Sequence, residues 1–125
     1  MQVMLVRLSD GTPFRCAFEA WLSKHKIASA VIVNGIGMLS DVELQYYEKG
    51  KYRTRRFRKP MELLSLQGNI SLKDGKPFIH VHATLADERG KAYGGHLKDA
   101  VVRVTNEIFL ITLDEQMRRG KDGLS

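Results

Sequence analysis

From residue 28 onward, strand-length apolar segments follow one another with only short turns between them. Residues 28–37 form an apolar run that enters a glycine-rich bend, where Gly35-Ile36-Gly37 reads as a tight turn or close backbone packing. Residues 41–47 and 51–57 flank Glu48-Lys49-Gly50, a hairpin signal. Residues 61–71 form a further strand, with Gly68 as a candidate bulge. Asp74-Gly75 is a turn, residues 77–86 alternate as a strand, and residues 87–90 turn again. Residues 91–99 contain Gly94-Gly95 and read as irregular with a short strand, and residues 100–113 are β-rich. Connections this short favour antiparallel pairing.

Ahead of these segments lies the one helical pattern. Residues 2–8 read as a strand and Asp10-Gly11 as a turn. Thr12 before Pro13 suits an N-cap followed by proline in the first helical position. Phe14, Ala17, Phe18, Trp21 and Leu22 then recur at steps of three and four, one apolar stripe on a helix ending near Lys26. Cys16 sits beside that stripe and reads as a packing residue, because no histidine pairs with it as a nucleophile would need. His25 falls in the last turn, an exposed position. The fold class is therefore α+β: a mostly antiparallel sheet, or partly closed barrel, with one N-terminal helix packed on it. Residues 1–113 make a single domain, and residues 114–125 a charged, loose tail.

At 125 residues, 43% apolar and 27% charged, the chain fits one globular domain rather than a disordered segment or disulfide scaffold. Its one cysteine cannot close an internal disulfide, which suits a reducing compartment. No segment reaches the about 20 apolar residues of a membrane helix, and the N-terminus lacks a signal-peptide core. The expectation is a cytoplasmic protein without a membrane partner.

The net charge of +6 is local. Lys49, Lys51, Arg53, Arg55, Arg56, Arg58 and Lys59 share a segment without an acidic residue, while outside it 13 basic residues face 14 acidic ones. Tyr52 and Phe57 interleave with the charges and could stack on bases. Two readings stand. One is an electrostatic footprint for phosphates. The other is a solvated edge strand that charge protects from sheet-to-sheet aggregation.

Three of the four histidines, His80, His82 and His96, fall close together. On a strand, His80 and His82 point to one face with Phe78 and Thr84, and Ile79, Val81, Ala83 and Leu85 point to the core. Two adjacent imidazoles begin a metal site, and His96 completes it if Gly94-Gly95 folds it back. Three imidazoles suit Zn²⁺ with an open fourth position, and other transition metals fit the same residue types. The alternative is polar residues facing solvent or a subunit contact. Glu62 and Glu107 are candidate catalytic carboxylates if they reach the same pocket, and surface charges otherwise.

These residues resemble a known family. Residues 61–70 (MELLSLQGNI), Pro77-Phe78-Ile79-His80-Val81-His82, Gly94-Gly95-His96-Leu97 and Val104-Thr105-Asn106-Glu107-Ile108 look like the plants-and-prokaryotes conserved (PPC) domain. Gly11, the helix and residues 32–37 (IVNGIG) are similar too, so the resemblance spans nearly the whole chain. It implies a sheet-rich α+β domain that assembles as a homotrimer. It implies that His80, His82 and His96 are the family histidines, able to hold a metal such as zinc. Plant members carry an AT-hook of the Arg-Gly-Arg-Pro type before the domain, and DNA binding is ascribed to the family through them. No Arg-Gly-Arg-Pro occurs here, which resembles the stand-alone prokaryotic type. The plant Gly-Arg-Phe-Glu-Ile-Leu partner motif aligns with residues 59–64, where Glu62 and Leu64 match but Pro60 and Met61 replace Arg and Phe. The expected function is a trimeric binding module that touches DNA through segment 49–59 and carries a three-histidine metal site. The alternative is a zinc-dependent enzyme acting on a small, anionic substrate at the metal.

Overall fold

A computed structural model describes residues 1–125. Alternating apolar side chains build strands β1 (Val3–Ser9), β2 (Ala30–Glu48), β4 (Met61–Lys73), β5 (Lys76–Ala86) and β6 (Ala92–Thr112), while the charged β3 (Lys51–Phe57) is held by its pairing with β2. Helix α1 (Phe14–Lys24) lies between β1 and β2. All pairings within the six-stranded sheet are antiparallel, in the order β1-β6-β5-β4-β2-β3. An additional pairing of β6 with β2 closes β2, β4, β5 and β6 into a ring. β1 and β3 extend it on the outside.

The ring holds one apolar core, and α1 adds Phe14, Phe18 and Leu22 to it, all fully buried. Phe14 and Phe18 meet edge to face at 5.8 Å. The rest of the expected stripe, Ala17 and Trp21, packs at the margin. Helix entry differs from expectation. Pro13, not Thr12, occupies the N-cap, and the Thr12 hydroxyl donates to the Ser9 carbonyl at 2.8 Å. The cap comes instead from across the fold: Asp99 Oδ1 accepts the Arg15 N–H at 3.1 Å, placing an acid at the positive end of the helix. Cys16 is exposed rather than packed.

Two segments expected as separate pieces are single long strands. Gly35 and Gly37 lie within β2, and Gly94 and Gly95 within β6. Register shifts along β2 bend it around the ring. At Gly37, whose φ is +144°, a methyl group would collide with the Thr105 carbonyl of β6, so close approach rather than a turn requires glycine. The β4–β5 irregularity falls between Leu63 and Ser65, not at Gly68.

The C-terminal residues, expected to be loose, fold back. The Leu72 N–H donates to the Met117 carbonyl at 2.9 Å, and the Met117 N–H donates to Ser29 Oγ at 2.7 Å. β7 (Arg119–Gly120) and β8 (Gly123–Leu124) then pair as a small hairpin. No helix is long and apolar enough to cross a membrane.

Candidate metal centre

Alternation along β5 buries Ile79, Val81, Ala83 and Leu85 and turns His80 and His82 to the opposite face. His96 joins them through strand register: it is the direct cross-strand partner of His82. Gly94 and Gly95 make no turn. They lie in the ladder beside it, and a methyl group on Gly95 would come 3.0 Å from the Tyr46 ring. One row of paired residues runs Thr54, Gln45, His96, His82, Gln67 across five strands. His80 stands next to this row as the partner of Asn69.

The three rings form a near-equilateral triangle, with centroids 5.2, 5.4 and 5.6 Å apart. One nitrogen from each lies within 4.8 Å of the others. Tetrahedral zinc needs neighbouring donors about 3.3 Å apart, given Zn–N bonds near 2.0–2.1 Å. Modest side-chain rotation closes that difference, so the donor set fits a transition metal.

Burial and local charge favour the neutral, metal-binding form of His80 and His96. Burial lowers the His80 pKa, and the nearby Arg119, His82 and Arg15 charges lower it further. Burial, then His80, His82 and Arg15, push His96 down from 6.5 to about 4. Arg15 acts from behind the sheet. β5 and β6 separate beyond the His82–His96 pair, and the Arg15 guanidinium fills the gap. It donates to the carbonyls of Lys98 (2.7 Å), Ile79 (3.0 Å) and Leu97 (3.0 Å).

A pH dependence follows for the metal-free protein. Between pH 6.5 and about 4 the unfolded chain protonates His96 and the folded chain does not. Stability is therefore complete above 6.5 and falls as pH drops toward 4, an effect reduced by solvent around the partly exposed ring. Urea midpoints should decline from pH 7 to 5, above the ordinary carboxylate range, and less so in His96→Gln. Equal slopes in the two proteins would contradict this origin.

The imidazoles are open on two sides. A cavity of about 400 Å³ is lined by the three histidines with Gln45, Tyr46, Tyr47, Tyr52 and Gly95. A second, of about 170 Å³, lies against Gln67, Gly68 and Asn69. Tyr52 stands 6.1 Å from the His96 ring and 5.3 Å from Tyr47, centroid to centroid.

Neither candidate carboxylate joins the histidines. Glu62 pairs with Met38 and Ala86. It lies five residues along β4 from the His82 partner Gln67, about 16 Å at strand rise. Glu107 pairs with Arg7 and Ile36 at the far end of β6. Neither lines either cavity.

All seven basic residues of segment 49–59 are exposed. Cross-strand partners on β2 neutralise part of the segment: Arg53 meets Glu48 and Arg56 meets Glu43, each at 3.3 Å. Arg55 lies over the Phe57 and Tyr93 rings at 5.1 and 5.4 Å. Lys49, Lys51, Arg58 and Lys59 have no carboxylate partner. Sequence reasoning missed two residues near the histidines, Arg15 and Arg119. Arg119 Nη2 donates to Asn69 Oδ1 at 3.0 Å and stands 3.3 Å from His80 Nδ1. Nothing local in the sequence marks either one.

Comparison with known proteins agrees with this fold. A plant- and prokaryote-conserved (PPC) protein of Pyrococcus horikoshii is 33% identical with a TM-score of 0.88, over 100% of this chain and 90% of that one. A metal-containing protein from Archaeoglobus fulgidus is 34% identical with a TM-score of 0.87, over 96% and 86%. A Bacteroides thetaiotaomicron protein, provisionally described as DNA binding, is 28% identical with a TM-score of 0.88, over 94% and 83%. Among curated proteins, the bifunctional protein GlmU of a Synechococcus strain is 27% identical over 111 residues, and the chain spans only 17% of its length. The model of the Plants and Prokaryotes Conserved (PCC) domain matches residues 1–114. With sequence match, fold and extent in agreement, the chain belongs to the plants and prokaryotes conserved domain family.

Proposed function

We propose that the protein is a metal-binding member of this family, holding one zinc ion per chain on His80, His82 and His96. The observation that carries this reading is the cross-strand triangle of imidazoles, whose nitrogens lie within 4.8 Å of one another. The metal-containing Archaeoglobus relative supports it. Bound there, the ion supplies a Lewis acid able to polarise a carbonyl or acidify water. The chain itself fixes the three rings on rigid strands beside a cavity and supplies Tyr47 and Tyr52 as part of the cavity wall. That cavity favours a second reading, an enzyme acting on a small substrate. Elemental analysis of tag-free protein should find about one transition metal per chain. Metal absent even after reconstitution with zinc would overturn the proposal.

In the same reading the β2–β3 hairpin contacts DNA. The free cations Lys49, Lys51, Arg58 and Lys59 support this, as does the Bacteroides relative. Association of three copies, which the PPC fold suggests, would multiply a weak contact by avidity. The outer faces of β1, β6 and β2 offer an apolar surface for it, where Leu5 pairs with Phe109 and Val31 with Ile111. Four neutralised phosphates per chain give a slope of about −3.6 in log affinity against log salt. Anisotropy with a labelled duplex should show that steepness, with binding gone at high salt. Binding that survives about 1 M salt would exclude an electrostatic contact.

A further inference from the structure

Residues after 114 lie outside the matched family domain, yet they place a cation at the metal centre. Backbone bonds hold this segment: Leu72 to Met117, and two between Arg118 and Ser125, at 2.8 and 2.9 Å. Arg119 is thereby laid along the histidine face of β5. Its guanidinium carbon stands 5.5 Å from the Phe78 ring centroid. Nη2 reaches Asn69 and His80, as above. Nε is buried with no hydrogen-bond partner, Nη1 makes no hydrogen bond, and no carboxylate pairs with the side chain.

Neither cavity lining contains an acidic residue; Arg119 lies outside both linings and touches Asn69 and His80, which line the second. A divalent metal on three neutral imidazoles keeps its full charge, and Arg119 adds one more beside it. A half-buried guanidinium without a counter-ion is costly, and its planar fork matches an oxyanion.

We propose that Arg119 is the anion-recognition residue of this site, so that its ligand is a small oxyanion, a carboxylate or a phosphate, held between the guanidinium and the metal. This rests on the metal reading above. Anion binding here needs no group from β3, so it is separate from the DNA contact.

The full chain, loaded with cobalt(II), tests this through its visible absorption. Acetate and inorganic phosphate are titrated separately into the native protein, Arg119→Ala and Arg119→Lys, with neutral imidazole as a ligand that needs only the metal. Cobalt stoichiometry and circular dichroism are read first, to confirm that each variant is folded and loaded. The expected result is at least a tenfold loss of affinity for one or both anions in Arg119→Ala, a smaller loss in Arg119→Lys, and unchanged imidazole binding. Loss for acetate alone identifies a carboxylate ligand, and loss for phosphate alone a phosphate ligand. Equal anion affinities in native protein and Arg119→Ala, or no anion binding to loaded native protein, would overturn the proposal. Failure of the native chain to take up cobalt would instead contradict the metal reading. Phosphate titration of the metal-free protein, followed by NMR of the Arg119 side chain, then decides for or against Arg119 alone.

Discussion

Gly68→Ala should cost about 3 kcal/mol or more of stability and scatter the metal ligands. Gly68 sits at φ +155° in β4, paired with Val81 between the Gln67–His82 and Asn69–His80 pairs. A methyl group there would occupy the space of the His80 carbonyl oxygen and approach Val81 Cα at 2.9 Å. Both obstacles are backbone, so no side chain can swing aside. β5 must move away from β4, and it carries two of the three imidazoles. The loss is large beside the roughly 5–15 kcal/mol that stabilises a typical domain. Urea unfolding of the metal-free protein reads the stability, and zinc stoichiometry reads the site. A loss below about 1 kcal/mol with full zinc binding would contradict the close β4–β5 approach.

His80→Ala and His82→Ala should each weaken zinc binding by more than 100-fold, and the double variant should purify without stoichiometric metal. Removing only an outer-shell partner of a metal ligand typically costs about 10–100-fold, so removing a ligand costs more. The fold should persist. Both rings point away from the core, His82 is exposed, and the buried side chains of β5 are Ile79, Val81, Ala83 and Leu85. Urea midpoints of the metal-free variants should therefore stay near that of the metal-free native protein. Competition with a chromogenic zinc chelator gives the affinities. Zinc retained by the double variant would place the metal elsewhere.

β5 was readable in full, because strict alternation around His80 and His82 assigns one face to the core and the other to chemistry. The stripe on α1 was readable for the same reason, at helical period. Glycines hid the continuity of β2 and β6. A glycine within a strand pattern usually marks a break. Of the two readings of Gly35-Ile36-Gly37, close packing is the one the ring uses: Gly37 admits a neighbouring backbone that is remote in sequence. His96 was placed beside the other histidines for an incorrect reason: register with His82 brings it there, not a turn. Partial neutralisation of β3 was available in principle. Once the hairpin is accepted, its register sets Glu43 opposite Arg56, whereas a charge count along one segment cannot see across strands. Arg15 and Arg119 were out of reach. Arg15 bonds carbonyls 64 to 83 residues away, and Arg119 contacts His80 across 39 residues.

X-ray absorption at the zinc edge of the loaded, tag-free protein tests the central claim most directly, because it counts ligands and identifies their type. Three imidazole nitrogens near 2.0–2.1 Å and one further light-atom ligand, exchangeable with added azide, are the expected result. A sulfur ligand, fewer than three imidazoles, or a fourth protein ligand that azide cannot displace would contradict an open three-histidine centre.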